Sequence, residues 1–243
     1  MYLPKSWSEI DVFQYKEVRD LYSIQEVFSR EIEILAALAD INSEDIEDLD
    51  IEEVTVMLAD IKYINSEPSK NFKRQLDDYH YKPLDKLTIG EYIDLEFYFS
   101  KDYNKHIGHI ASIMYRQKST NEWGVTIYEP YAFSPRDRHE LFDEYKINDI
   151  YGIIPEFISF RENFMDTYGN LFHDNTAEDD DEVRPTNSEE AKEIQKEKSQ
   201  LKWGWERLIY SLCNEDLTKF EEVTNLPLIM TFNMLAMKKE LNI

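Results

Sequence analysis

Glycine and proline are scarce in this chain, with 6 and 8 among 243 residues. Sandwiches and barrels need many turns, and these two residues supply much of the special backbone geometry that turns require. The shortage therefore tilts the fold toward helices. Cysteine is nearly missing: Cys213 stands alone, which excludes an intramolecular disulfide and fits a reducing compartment. Positive charge is also short, with 27 Lys and Arg against 50 Asp and Glu, for a formal net charge of −23. Nucleic-acid binding rests on neutralising phosphates with cations, so a polyanion is a poor candidate for it. An anionic membrane surface repels the chain for the same reason. The charge favours solubility and leaves a basic partner admissible.

Long apolar runs are absent as well. No stretch reaches the roughly 18 continuous apolar residues of a spanning helix. The closing run from Leu226 to Met237 is too short and is broken by Pro227, Thr231 and Asn233. The opening MYLPKSWSEIDVFQ lacks a charged region followed by an apolar one, so no secretory leader is expected.

What is present is core material. Hydrophobic residues make up 42% of the chain and aromatics 14%, including 16 Tyr and 13 Phe, so disorder throughout is excluded. Apolar residues recur at helical spacing in SEIDVFQYKEVRDLY (Ile10, Phe13, Tyr15, Val18, Leu21) and in SIQEVFSREIEILAALADI (Ile24, Val27, Phe28, Ile32, Leu35, Leu38). Ser43 with Glu44 and Asp45, and Asp50 with Glu53, read as successive helix starts. The stretch around Phe72, Leu76, Tyr79 and Tyr81 predicts a small β-hairpin turning near Asp77 and Asp78.

Thr88, with Glu91 three residues on, caps a further helix. YNKHIGHIASIMYRQ predicts another, with Ile107, Ile110, Ile113 and Met114 inward. EWGVTIYEPYAFSP predicts an edge strand or ordered loop, and the segment from Arg136 to Phe172 a helical region interrupted before Pro155. The expected fold is mainly α: a multi-helix domain with a small β-hairpin, plus a C-terminal helical module behind an acidic linker.

The composition changes after residue 172. From Asp174 to Gln200 the apolar residues are almost confined to Ala177, Val183, Ala191 and Ile194, too few to offset the entropy of ordering. We divide the chain into a mainly helical domain at 1–172, an acidic flexible linker at 173–188 and a helical module at 189–243. Helices are expected at 201–213, 215–223 and 227–240, with Pro227 in the first turn of the last. So short a module makes a poor independent core. It either folds back onto the main domain or buries its apolar face against another chain. Its Trp203, Trp205, Ile209, Leu228, Met230, Phe232, Met234 and Met237 are the candidate partner-binding residues.

Signals for chemistry are weak by comparison. His106 and His109 sit three apart on one helix, but zinc needs further ligands at matching spacing and HExxH is absent. AEDDDE lacks the spaced oxygens and Gly of a calcium loop and reads as a solvated charge run. Cys213 lies among Ile209 and Leu212, as a small core residue does. Nucleophile elbow, Walker loop and dinucleotide fingerprint are all missing. No enzyme activity, no metal and no cofactor is expected. A methionine stripe can be ordinary core, yet Met side chains also repack readily around varied helical ligands.

Several stretches together carry a resemblance. The chain opens LPKSWSEIDVFQYKEVRDL and continues ILAALADINSEDIEDLDIEEVTVMLADIKYIN. After the hairpin come LDKLTIGEYIDLEFYF and HIGHIASIMYR, and the ending is WGWERLIYSLCNEDLTKFEEVTNLPLIMTFNMLAMKKE. This is similar to bacteriophage tail-assembly proteins of the tape-measure chaperone type, with an LP-x-SW start, an LT-x-G-x-[YF]-x-D step, a D-x-T-K-F-x-E-V step and a final apolar helix with a Lys-Lys edge. The resemblance implies a non-enzymatic chaperone of virion morphogenesis in the host cytoplasm. Its client would be the apolar helices of the tape-measure or another tail protein, with self-association also admitted. The alternative is a virion structural component, a tail or baseplate subunit, using the same apolar module as a permanent interface.

Overall fold

The computed structural model describes residues 2–131, 138–171, 204–205 and 207–241. The linker expected at 173–188, the AEDDDE run and Trp203 lie outside the described residues. The chain is mainly helical with one small antiparallel sheet. Its helices are α1 (Val12–Leu21), α2 (Val27–Ala39), α3 (Ser43–Glu47), α4 (Ile51–Asp60), α5 (Ile89–Phe99), α6 (Ile107–Met114), α7 (His139–Asp143), α8 (Ile147–Ile150) and α9 (Ile153–Tyr168). After these come α10 at 207–212, α11 (Phe220–Thr224) and α12 (Leu228–Leu241). The described chain forms two compact units. Unit 1 holds Met1–Pro83 and Leu95–Ile158, and unit 2 holds Leu84–Asp94 and Ser159–Ile243. The C-terminal residues thus share a unit with 84–94 and with the chain from 159 onward. The described residues of the module drawn at 189–243 lie in this unit, where short helices gain the rest of a core.

Unit 1 is built around an aromatic cluster. Trp7 meets Tyr15 and Tyr63 edge-on, with ring centroids 5.3 and 5.4 Å away. Its indole Nε1 donates to the Ser66 carbonyl at 3.2 Å, so burying the ring strands no donor. The Tyr15 hydroxyl likewise donates to Asn104 Oδ1 at 2.7 Å. α2 starts where Glu26 accepts backbone N–H groups of Phe28 and Ser29, and it ends at Asp40, whose φ of 54° is left-handed. Val27 and Phe28, expected inward, are exposed in the first turn. Ile32, Leu35 and Leu38, also expected inward, are buried.

The sheet runs β1 (Gln75–Leu76), β2 (Tyr79–Tyr81), β3 (Tyr115–Thr120) and β4 (Thr126–Tyr128), all antiparallel and in that order. The hairpin turns at Asp77 and Asp78, where Asp77 takes φ 48°. α6 ends at Met114 and the chain continues as β3, with Tyr81 opposite Tyr115 and Tyr79 opposite Gln117. The sequence reading ran this helix on to Gln117. Pairing with β2, far away in the chain, overrides the local helical pattern there.

Candidate functional site

In unit 2 the start of α5 is fixed by a reciprocal cap. Glu91 accepts the Thr88 N–H at 2.8 Å, and Thr88 Oγ1 accepts the Glu91 N–H at 3.3 Å. This is the expected capping box, and it satisfies two donors at the helix end. The same stretch receives the C-terminal residues by backbone bonds. Ile89 N–H donates to the Leu226 carbonyl at 3.0 Å, and Leu228 N–H to the Leu87 carbonyl at 2.9 Å. Pro227 sits at the bridge opposite Thr88, and its missing N–H leaves Leu228 as the donor.

From that clasp α12 runs as a helix with two apolar sides. Leu228 and Phe232 are fully buried. The Phe232 ring lies 4.8 Å from Phe164, 5.5 Å from Tyr168 and 5.9 Å from Trp205, while Trp205 tilts against Tyr92 at 5.2 Å. The Tyr168 hydroxyl donates to Asn233 Oδ1 at 2.7 Å, and Lys239 Nζ donates to the Asn170 carbonyl at 2.5 Å. Lys239 thus ties α12 to the segment just after α9. Ile209 on α10 and Cys213 after it are buried in the same unit.

Among the eight candidates, then, Ile209, Leu228 and Phe232 are interior residues and no free face. Trp205 is half-buried, and Trp203 is outside the described residues. The remaining three point outward: Met230 is 65% exposed, Met234 54% and Met237 42%, with Leu241 at 60%. At about 100° per residue, positions 230, 234, 237 and 241 fall within one narrow stripe, opposite 228 and 232. Beside the stripe lies a groove of about 460 Å³ lined by Leu212, Thr231, Met234, Leu235, Met237 and Lys238. Sequence reasoning missed Leu212 and Leu241. The seven-residue step from Met234 to Leu241 was the available signal for the second.

Unit 1 gathers histidines more closely than HIGH implied. The His109 ring on α6 stacks on His139 of α7 with centroids 4.0 Å apart and planes 15° apart. His106 stands edge-on to His109 at 5.6 Å, and Tyr98 tilts against both. Burial first, then His139 and His106, hold the His109 imidazole down to about 4. His106 is lowered as well, chiefly by burial. Gly108 permits this approach: a Cβ there would strike the Asp143 carboxylate and come within 2.8 Å of the His139 carbonyl. Asp143 Oδ2 in turn accepts from Lys16 Nζ at 2.7 Å. The group is a packed seam of α6 on α7. Among the described residues no three His, Cys, Asp or Glu are placed to hold a metal ion, and no described helix is long and apolar enough to cross a membrane.

Compared with known proteins, the chain matches no family model, no curated protein and no solved structure.

Proposed function

We propose that this protein is a non-enzymatic chaperone of bacteriophage tail assembly that shields apolar helices of a tape-measure protein until the tail forms around them. The supporting observation is the outward stripe of Met230, Met234, Met237 and Leu241 on a helix whose opposite side already fills the core of its unit. A side chain that the fold does not need for burial is available for a partner, and methionine is unbranched and adaptable. A stripe at helical spacing beside an open groove suits another helix laid along it. Strong net negative charge would keep the loaded complex dispersed. The partner face is therefore the methionine side of α12, with Leu212 at its edge, in place of the buried Ile209, Leu228 and Phe232.

The test is a scattering assay in which an apolar tape-measure helix aggregates with and without the protein. Wild type is expected to suppress aggregation in proportion to its molar ratio, and the Met234→Glu/Met237→Glu variant to fail while melting at the wild-type temperature. Equal suppression by that variant refutes the assignment. Mass spectrometry of purified particles separates chaperone from structural subunit: presence at fixed stoichiometry would overturn the chaperone reading.

A further inference from the structure

Unit 1 carries a second groove, of about 660 Å³, formed by α1, α2 and the start of α3. Its two main walls share a pattern. α1 supplies Glu17 and then Asp20 and Leu21, three and four residues on; α2 supplies Glu33 and then Ala36 and Ala37 at the same spacing. Residues so spaced lie on one side of a helix, so each wall sets a carboxylate beside apolar surface. Ile41 extends the floor and Glu44 adds another carboxylate.

The acids here are short of cations. Asp20 pairs with Lys105, whereas Glu17, Glu33 and Glu44 make no ion pair among the described residues. The Glu17 carboxyl is held above its ordinary value, first by burial and then by Asp11 and Asp40, so a cation brought near would favour its ionised form.

We propose that this groove docks a basic amphipathic helix, whose apolar stripe lies on Leu21, Ala37 and Ile41 while its flanking Lys or Arg meet Glu17, Glu33 and Glu44. The small Ala37 side chain lets a helical backbone come close, and the chain's charge of −23 steers a cationic segment inward. The site is distinct from the methionine stripe and takes a ligand of opposite character.

The experiment titrates a labelled Leu/Ala/Lys peptide with one apolar stripe into the full chain and follows fluorescence anisotropy at low and high salt. Binding is expected to weaken about tenfold in Glu17→Gln/Glu33→Gln, and again as salt rises. Ala37→Leu, which fills the floor, is expected to weaken it similarly. Met234→Glu/Met237→Glu leaves it unchanged, so this result is read apart from that of the client assay. Circular dichroism melts confirm that each variant is folded. The proposal is overturned by no binding to wild type, by full binding to Ala37→Leu, or by equal binding of a scrambled peptide of the same charge.

Discussion

Acid should loosen unit 1 through His109. The ring stacks on His139 and faces His106, Tyr98, Lys16 and Lys101, so its protonated form meets lost hydration and several positive or protonatable neighbours. Its ordinary value of 6.5 falls to about 4 in the folded chain. At about 1.4 kcal/mol per pH unit that gap sets a ceiling of about 3 kcal/mol. Partial exposure of the ring screens the effect, leaving about 2 kcal/mol. The unfolded chain takes up the proton first as pH drops through 6.5, so stability declines from there and the full loss is reached below about 4.

Urea unfolding at pH 7.5, 6.0, 5.0 and 4.5 would measure this for wild type and for His109→Gln. The variant is expected to start less stable, through lost stacking, but to fall less steeply, by about 1–2 kcal/mol over that range, most of the full difference. Parallel curves would refute the reasoning, whatever the absolute stabilities. Resolved imidazole signals in a pH titration by NMR would show directly whether His109 titrates near 4.

Other consequences are open to simple measurement. Phe232→Ala removes a fully buried ring from among Phe164, Tyr168 and Trp205 and should cost about 3–5 kcal/mol in denaturant unfolding. Thr88→Ala breaks one half of the cap on α5 and should cost about 1 kcal/mol in the same assay. Gly108→Ala forces a methyl group into the α6–α7 seam, and its thermal melt should drop more than that of Gly169→Ala, where a Cβ meets nothing. Deleting residues 189–243 should leave a chain that binds hydrophobic dyes and aggregates, since Tyr92, Phe164 and Tyr168 lose their cover. A shortened chain that stays monomeric and dye-silent would contradict this.

Some of the structure was legible because the determining contacts are local. The turn at Asp77 and Asp78, the Thr88–Glu91 cap and the break before Pro155 each depend on a few adjacent residues, and all three are found. The start of β3 was not legible: Tyr115 to Gln117 become strand by pairing with Tyr79–Tyr81, more than thirty residues upstream in the chain. The stacking of His139 on His109 is equally non-local. The candidate site was half legible. The spacing of Met230, Met234 and Met237 could be read directly, but α12 is apolar around most of its circumference, so no polar side announced which stripe faces in. Only the positions of Phe164, Tyr168 and Trp205 decide that Phe232 goes inside and Met234 stays out.

The backbone clasp between residues 87–89 and 226–228 sets an order on biosynthesis. Early residues of unit 2 leave the ribosome long before the strip that covers them, so Tyr92 and Phe164 must wait, wet and unprotected, until α12 emerges. Vectorial folding can close unit 1 once Asp143 to Tyr151 have appeared to meet α1, whereas unit 2 closes only after α12 has been made.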